Sequence, residues 1–157
     1  QEAFAAFSAV EDEARLAAFT GALENAILKQ QQHRDDGSSH ADLLRVPPEV
    51  MQKLVESLSS HPERIERCVI RLPIMCLDFN QVARLCISHG LHSAFAYLYN
   101  EGLNDAVTPA VEMITAVINS EGTARLGLMR KLCVYMAYCF KGLKYPPVDG
   151  VSSISVG

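Results

Sequence analysis

Long apolar runs are missing from this sequence: the longest, Leu132 to Phe140, is no more than half of the roughly 18 to 20 residues that a membrane-spanning helix requires. Surplus positive charge is missing too. The net charge is −4 over 157 residues, and the excess acid sits in residues 1–46, where Glu2, Glu11, Asp12, Glu13, Glu24, Asp35, Asp36 and Asp42 face Arg15, Lys29, Arg34 and Arg45. The remainder is balanced, ten acids against ten bases. Such a surface does not attract a phosphate backbone, so no nucleic acid partner is expected. The amino terminus has neither a basic stretch ahead of an apolar core nor an initiator Met, which reads as a trimmed fragment without a signal peptide.

Catalytic signatures are also absent. There is no glycine-rich phosphate loop, no Gly-x-Ser-x-Gly elbow, no His-Glu-x-x-His and no Cys-x-x-Cys pair, so neither an enzyme activity nor a cofactor is expected. The five cysteines, Cys68, Cys76, Cys86, Cys133 and Cys139, are odd in number and fall in or beside apolar helical patterns. Free cysteine behaves this way, as a small hydrophobe in a reducing compartment, and the cytosol fits. Cys86, His89 and His92 have a spacing that an unbroken helix would gather on one side, as zinc needs. Gly90 interrupts that helix and no fourth ligand is near, so the reading is one core cysteine and two joint histidines. A cysteine and histidine pair for nucleophilic catalysis is formally available. It would need an accessible, electropositive thiolate, and these thiols sit among Leu, Val, Met and Tyr.

What the sequence has in abundance is apolar residues in helical time. Residues 2–30 carry Phe4, Phe7, Ala14, Leu16, Phe19, Leu23, Ala26 and Ile27 on one stripe, which predicts one long helix, or two if Gly21 breaks it. Asp, Gly and Ser from about residue 33 to 46 predict a mobile loop. Pro47-Pro48 then opens a helix with Met51, Leu54, Val55 and Leu58 at i, i+3, i+4 and i+7. Pro62 opens another with Ile65, Cys68, Val69 and Leu72, which Pro73 ends by pushing its predecessor out of the α region. The Met and Cys residues of the last helix are expected in the core.

From Cys76 to Ile114 the pattern is sharpest. Asp78 followed by Gln81 resembles a capping box and should start a helix, which His89-Gly90 should stop in a left-handed turn. The next helix, with Leu91, Ala94, Phe95 and Leu98, must fold back on the first as a hairpin. Thr108 should cap, and Pro109 start, a further helix with Val111, Ile114, Val117 and Ile118; the last should run from about Thr123 to Phe140. That final helix has two apolar stripes, one of Leu126, Met129, Leu132, Cys133, Met136 and Phe140, the other of Leu128, Tyr135 and Cys139.

Helix pairs thus begin near residues 49, 79 and 109, at an interval of roughly 30 that suits helical repeats. Helices apolar on two faces are satisfied by stacking consecutive hairpins. The expected fold is all-α, an α-solenoid of stacked antiparallel helix hairpins resembling clathrin-heavy-chain repeats, over residues 1–145, with residues 146–157 as a tail. A compact helical bundle is the rival architecture.

For interaction, the mixed charges Glu63, Arg64, Glu66, Arg67 and Arg71 lie on one helix. They read as a solvated outer surface, or as a docking surface through Arg64, Arg67 and Arg71. Tyr97 and Tyr99 are candidate interface anchors, with packing against the next repeat as the blander reading.

The apolar helix before His89-Gly90-Leu91, then Tyr97 to Asn100, Leu103-Asn104-Asp105 and Val107-Thr108-Pro109, resembles the α-solenoid of the vacuolar protein sorting-associated protein 8 family, subunits of the CORVET tethering complex on endosomes. A weaker similarity reaches the sister subunit, number forty-one, of the HOPS tether, and a fainter echo of the family covers Pro47 to Leu72. The resemblance implies a non-enzymatic scaffold in vesicle docking and fusion and in endosome-to-vacuole or lysosome transport. It also implies a cytoplasmic protein held peripherally on endosomal membranes through partners: other tethering-complex subunits and an early-endosomal Rab GTPase. Family members carry an amino-terminal propeller and a carboxy-terminal RING finger. This sequence has neither pattern, so the resemblance is to solenoid only. The alternatives are a clathrin-like coat or cargo-adaptor solenoid and, further off, a small all-α GTPase regulator.

Overall fold

Proline sets where the first helices begin. The computed structural model describes residues 46–147 together with Ala18, Gly21, Ala22, Asn25 and Ala26. Those five are helical, in step with the helix expected over residues 2–30; the rest of that helix, residues 33–45 and the tail from 148 lie outside the described residues. α1 (Pro48–Ser57) and α2 (Pro62–Arg71) each carry Pro in the first turn, where a missing amide has no helical partner to lose. α1 buries Met51, Leu54 and Val55, and α2 buries Ile65, Cys68 and Val69, as their spacing predicts. Val46 already belongs to the fold: it is buried, and its amide donates to the Cys76 carbonyl at 3.2 Å.

A short 3-10 turn (Ile74–Cys76) leads to α3 (Phe79–His89). Asp78 caps it, accepting from the Gln81 amide at 2.9 Å, but the other half of a capping box does not form. The Gln81 side chain instead donates to the Pro48 carbonyl at 2.6 Å and so ties α3 to the first turn of α1. Gly90 closes α3 in the left-handed region, φ 65°, with its amide on the Ile87 carbonyl and that of Leu91 on Cys86 at 2.8 Å. These are the paired bonds of a Schellman turn, and Leu91, fully buried, reverses the chain directly into α4 (His92–Gly102).

The next helix starts earlier than its Thr-Pro signal suggests. α5 (Val107–Ile118) begins two residues before Pro109, and Thr108 does not cap it. The Asp105 carboxylate accepts from the amides of Val107 and Thr108 at 2.8 and 3.1 Å and from the Thr108 hydroxyl at 2.6 Å. An ionised acceptor facing three donors outcompetes a hydroxyl, and Pro109 still falls in the first turn where its missing amide costs nothing. α6 (Gly122–Phe140) follows.

The hairpins begin at Pro48, Phe79 and Val107, close to the expected starts. α1 packs on α3 and α2 on α4, so corresponding helices of the first two hairpins lie against each other; the third hairpin meets the second through α4 on α5, and α5 packs on α6. Among the described residues the chain is all helical, with no strand, in the arrangement of a helical repeat. α4 is the centre, burying Ser93, Ala94, Phe95, Ala96, Tyr97, Leu98 and Asn100 between α2, α3, α5 and the 3-10 turn. The larger core runs from Val46 to Leu98; a smaller one joins Ala96, Met113 and Tyr135, with Leu132, Met136, Cys139 and Tyr145 packed against it.

α6 corrects one expectation. Tyr135 is 0% exposed, and Leu132, Met136 and Cys139 pack with it in the smaller core, whereas Phe140 is 83% exposed and Leu126, Met129 and Cys133 face outward. Both stripes are apolar, but only the Tyr135 side offers a hydroxyl that finds acceptors on the neighbouring elements.

Candidate functional site

Arginines of α2 form the most polar outward surface singled out by the sequence. Arg67 is exposed, while Arg64 and Arg71 are half-buried. Tyr97 turns inward: it is buried, and its hydroxyl donates to the Leu72 carbonyl at 2.7 Å, which pins the end of α2 beside Arg71 to the central helix. Tyr99 is half-buried between Phe95 and Phe79, with ring centroids 4.5 and 5.3 Å away.

Glu66 leaves the charged face altogether. It is buried, and its Oε1 accepts from the Ser93 amide at 2.8 Å, in the first turn of α4, where a carboxylate meets unsatisfied donors and the positive end of the helix dipole. The Lys131 ammonium of α6 lies 3.2 Å from Oε2 and 3.4 Å from Oε1. One carboxylate therefore links α2, α4 and α6, a helix from each of the three hairpins. Sequence spacing missed this, because Glu66 lies beside the unbroken apolar stripe of Ile65, Cys68, Val69 and Leu72 and reads as one of the charged face.

A second polar tie lies under the last hairpin. The Tyr135 hydroxyl donates to the Ala106 carbonyl at 2.8 Å and lies 3.3 Å from Asn100 Oδ1, while Asn100 Nδ2 donates to the Tyr145 carbonyl at 2.9 Å. Gly142, at φ 66°, turns the chain after α6 so that the Tyr145 ring meets the edges or faces of Tyr135 and Tyr138 at 5.5 and 5.4 Å. Burial raises the Tyr135 hydroxyl above its ordinary pKa, so it stays a donor.

These arrangements hold helices in register and do not prepare a reaction. Burial, with Glu66 adding to it, pushes the Cys86 thiol up to about 12, the opposite of an activated nucleophile. Among the described residues no three His, Cys, Asp or Glu side chains are placed to hold a metal, and no helix is long and apolar enough to cross a membrane. Burial lowers the His92 pKa, the Lys131 charge lowers it further, and Glu66 and Glu112 oppose both. A histidine whose folded pKa lies below its unfolded value is protonated more readily in the unfolded chain. Stability is therefore present above the unfolded value, about 6.5, and is lost as pH falls below it. Denaturant midpoints measured across that window should drop on acidification, and His92→Gln should flatten the drop; an unchanged slope would remove His92 as its source.

The stacked hairpins, with their buried polar ties, can be set beside known proteins. The family described as Vps8 central TPR matches residues 18–155. The chain belongs to that family. Among Vps8 relatives, the vacuolar protein sorting-associated protein 8 homolog of Drosophila melanogaster is 32% identical over 128 residues, covering 78% of this chain and 10% of that protein. The homologs of Mus musculus and Homo sapiens are each 28% identical over 115 residues, 68% of this chain and 8% of theirs. The chain spans a tenth or less of the length of these Vps8 relatives. No solved structure matches it.

Proposed function

We propose that this Vps8-family segment is a non-enzymatic scaffold, one stretch of an α-solenoid in a CORVET-like tethering subunit that acts in vesicle docking at endosomes and in vacuolar protein sorting. Family membership over residues 18–155 carries the reading. The stacked hairpins support it, since a rod of packed helices holds surfaces at fixed separations and has no need of a reaction centre. The protein works in the cytoplasm, peripheral on endosomal membranes through its partners, which are other tethering-complex subunits and an early-endosomal Rab GTPase. Within this segment the partner surface is the α2 edge of Arg64, Arg67 and Arg71, with Tyr97 and Tyr99 fixing the layer beneath it.

The test is made in the full-length protein. Reversing charge with Arg67→Glu and Arg71→Glu should cut co-purification of the sister subunits while leaving the helical content unchanged, because rim charges tune association more than folding. Undiminished co-purification would remove this edge from the interface. Polymerisation of the protein on single vesicles, without bridging of two, would replace the tether by a coat. Acceleration of nucleotide exchange or hydrolysis on a Rab would replace it by a regulator.

A further inference from the structure

Positive charge gathers in the last helix. Of the ten bases after residue 46, five lie between Gly122 and Pro147, where there is no acid at all. Lys131 pairs with Glu66 and Lys144 with Glu101, each at 3.2 Å, but Arg125, Arg130 and Lys141 are exposed and form no ion pair among the described residues. Two of these three share a face with large apolar groups. Leu126, Met129, Arg130, Cys133, Phe140 and Lys141 recur at i, i+3, i+4, i+7, i+14 and i+15, positions that a helix places on one side, and all six are exposed. Leu143, also exposed, follows at the Gly142 turn, and α5 of the same hairpin exposes Val107, Val111, Ile114 and Ile118. Apolar side chains scattered singly on a surface need no explanation, but ordered ridges of this length do. The seams inside the fold are built otherwise: among the described residues no Lys or Arg is buried.

We propose that the outward face of α6 is a membrane-contact surface, which lies on an anionic lipid bilayer at the level of its headgroups. Charge complementarity selects that occupant. A protein seam closing over this face would strip the water from Arg130 and Lys141, a cost that only acids placed opposite them could offset. A bilayer surface imposes no such cost. Leu126, Met129 and Phe140 enter the acyl boundary, while the long stems of Arg130 and Lys141 lie along the same ridge and keep their charged ends among the lipid phosphates. Arg125 adds to the attraction from the flank, at about fivefold in partitioning for each base near an anionic surface. A nucleic acid would meet the same bases but leave the apolar ridge in water. Because no helix among the described residues is long and apolar enough to cross a membrane, the contact is interfacial. It is direct, unlike attachment through partners, and it is independent of whether the protein tethers endosomes.

The test uses the purified full-length protein and vesicles of phosphatidylcholine, alone or mixed in equal parts with phosphatidylserine. The parent should float with the mixed vesicles far more strongly than with the neutral ones. Arg130→Gln combined with Lys141→Gln should lower partitioning onto the mixed vesicles by about tenfold or more, and Phe140→Ser by about tenfold. Lys53→Gln, at an exposed position of α1, should leave it unchanged. Since all the substituted side chains are exposed, circular dichroism and the melting temperature should match the parent. A lipid with a photoreactive group on its acyl chain should label the peptide that contains Phe140, read by mass spectrometry. Equal partitioning of the parent and the α6 variants overturns the proposal, as does equal binding of the parent to the two kinds of vesicle. An unlabelled α6 peptide overturns it as well. Loss of a sister subunit from the α6 variants with vesicle partitioning unchanged also overturns it and gives the face to a protein partner. None of these results bears on the tether reading, which has its own test at the α2 edge.

Discussion

Tyr135→Ala lowers the unfolding free energy of the chain by about 3 to 5 kcal/mol, the range for deleting a large ring from a packed interior. The ring is fully buried at the centre of the smaller core, and its hydroxyl also satisfies the Ala106 carbonyl where the chain enters α5. Alanine leaves a cavity between α4, α5 and α6 and takes away the surface on which Tyr145 rests. Tyr135→Phe separates the two contributions. It keeps the volume and strands only hydrogen-bond partners, so its cost is about 1 to 2 kcal/mol. Urea unfolding of the two variants beside the parent, followed by circular dichroism, measures both. Equal losses from the two variants would mean that the hydroxyl, not the packing, holds the last hairpin.

Glu66→Ala is the second large effect, a loss of about 2 to 3 kcal/mol. The removed carboxylate is the acceptor of the Ser93 amide, and burial leaves that donor without water as a substitute. Lys131 loses its partner too, but its side chain is 42% exposed and can turn to solvent, so the ion pair is the smaller part. Glu66→Gln, which retains an acceptor for the amide, should recover most of the loss. Lys131→Met should cost less than about 1 kcal/mol. A double-mutant cycle over Glu66 and Lys131 isolates the pair; a coupling larger than the whole loss from Glu66→Gln would show that charge, not capping, dominates at this junction.

The two residues also show where sequence reasoning stops. Glu66 sits in a run of charges on α2, and by spacing alone it reads as a member of a solvated face with Glu63, Arg64, Arg67 and Arg71. Its burial depends on the N-terminus of α4, 27 residues later in the chain, whose free amides make an inward carboxylate favourable. Arg67 is exposed, as its pattern suggests. Tyr97 and Tyr99 differ for a related reason. Helical spacing places both on α4, but only the position of the α2 end decides that the Tyr97 hydroxyl reaches the Leu72 carbonyl.

Helix boundaries were legible wherever the signal is local. Pro48 and Pro62 in first turns, Asp78 as a cap and Gly90 as a left-handed stop act over a few residues through sterics and a single hydrogen bond, and all four are found. At α5 two local signals competed. The Thr-Pro pair was legible, but the Asp105 carboxylate upstream gathers three donors and moves the start.

By itself, then, the amino-acid sequence determined that the described chain is helical, where its hairpins turn and that they recur at a near-constant interval, because period, caps and turns are properties of neighbours along the chain. The tertiary structure alone decided which apolar side of α6 is core, that Glu66 lies inside, and that α5 and α6 keep ridges uncovered. Burial is a relation between elements distant in sequence, and a helix greasy on two sides carries no mark of which side will find a neighbour.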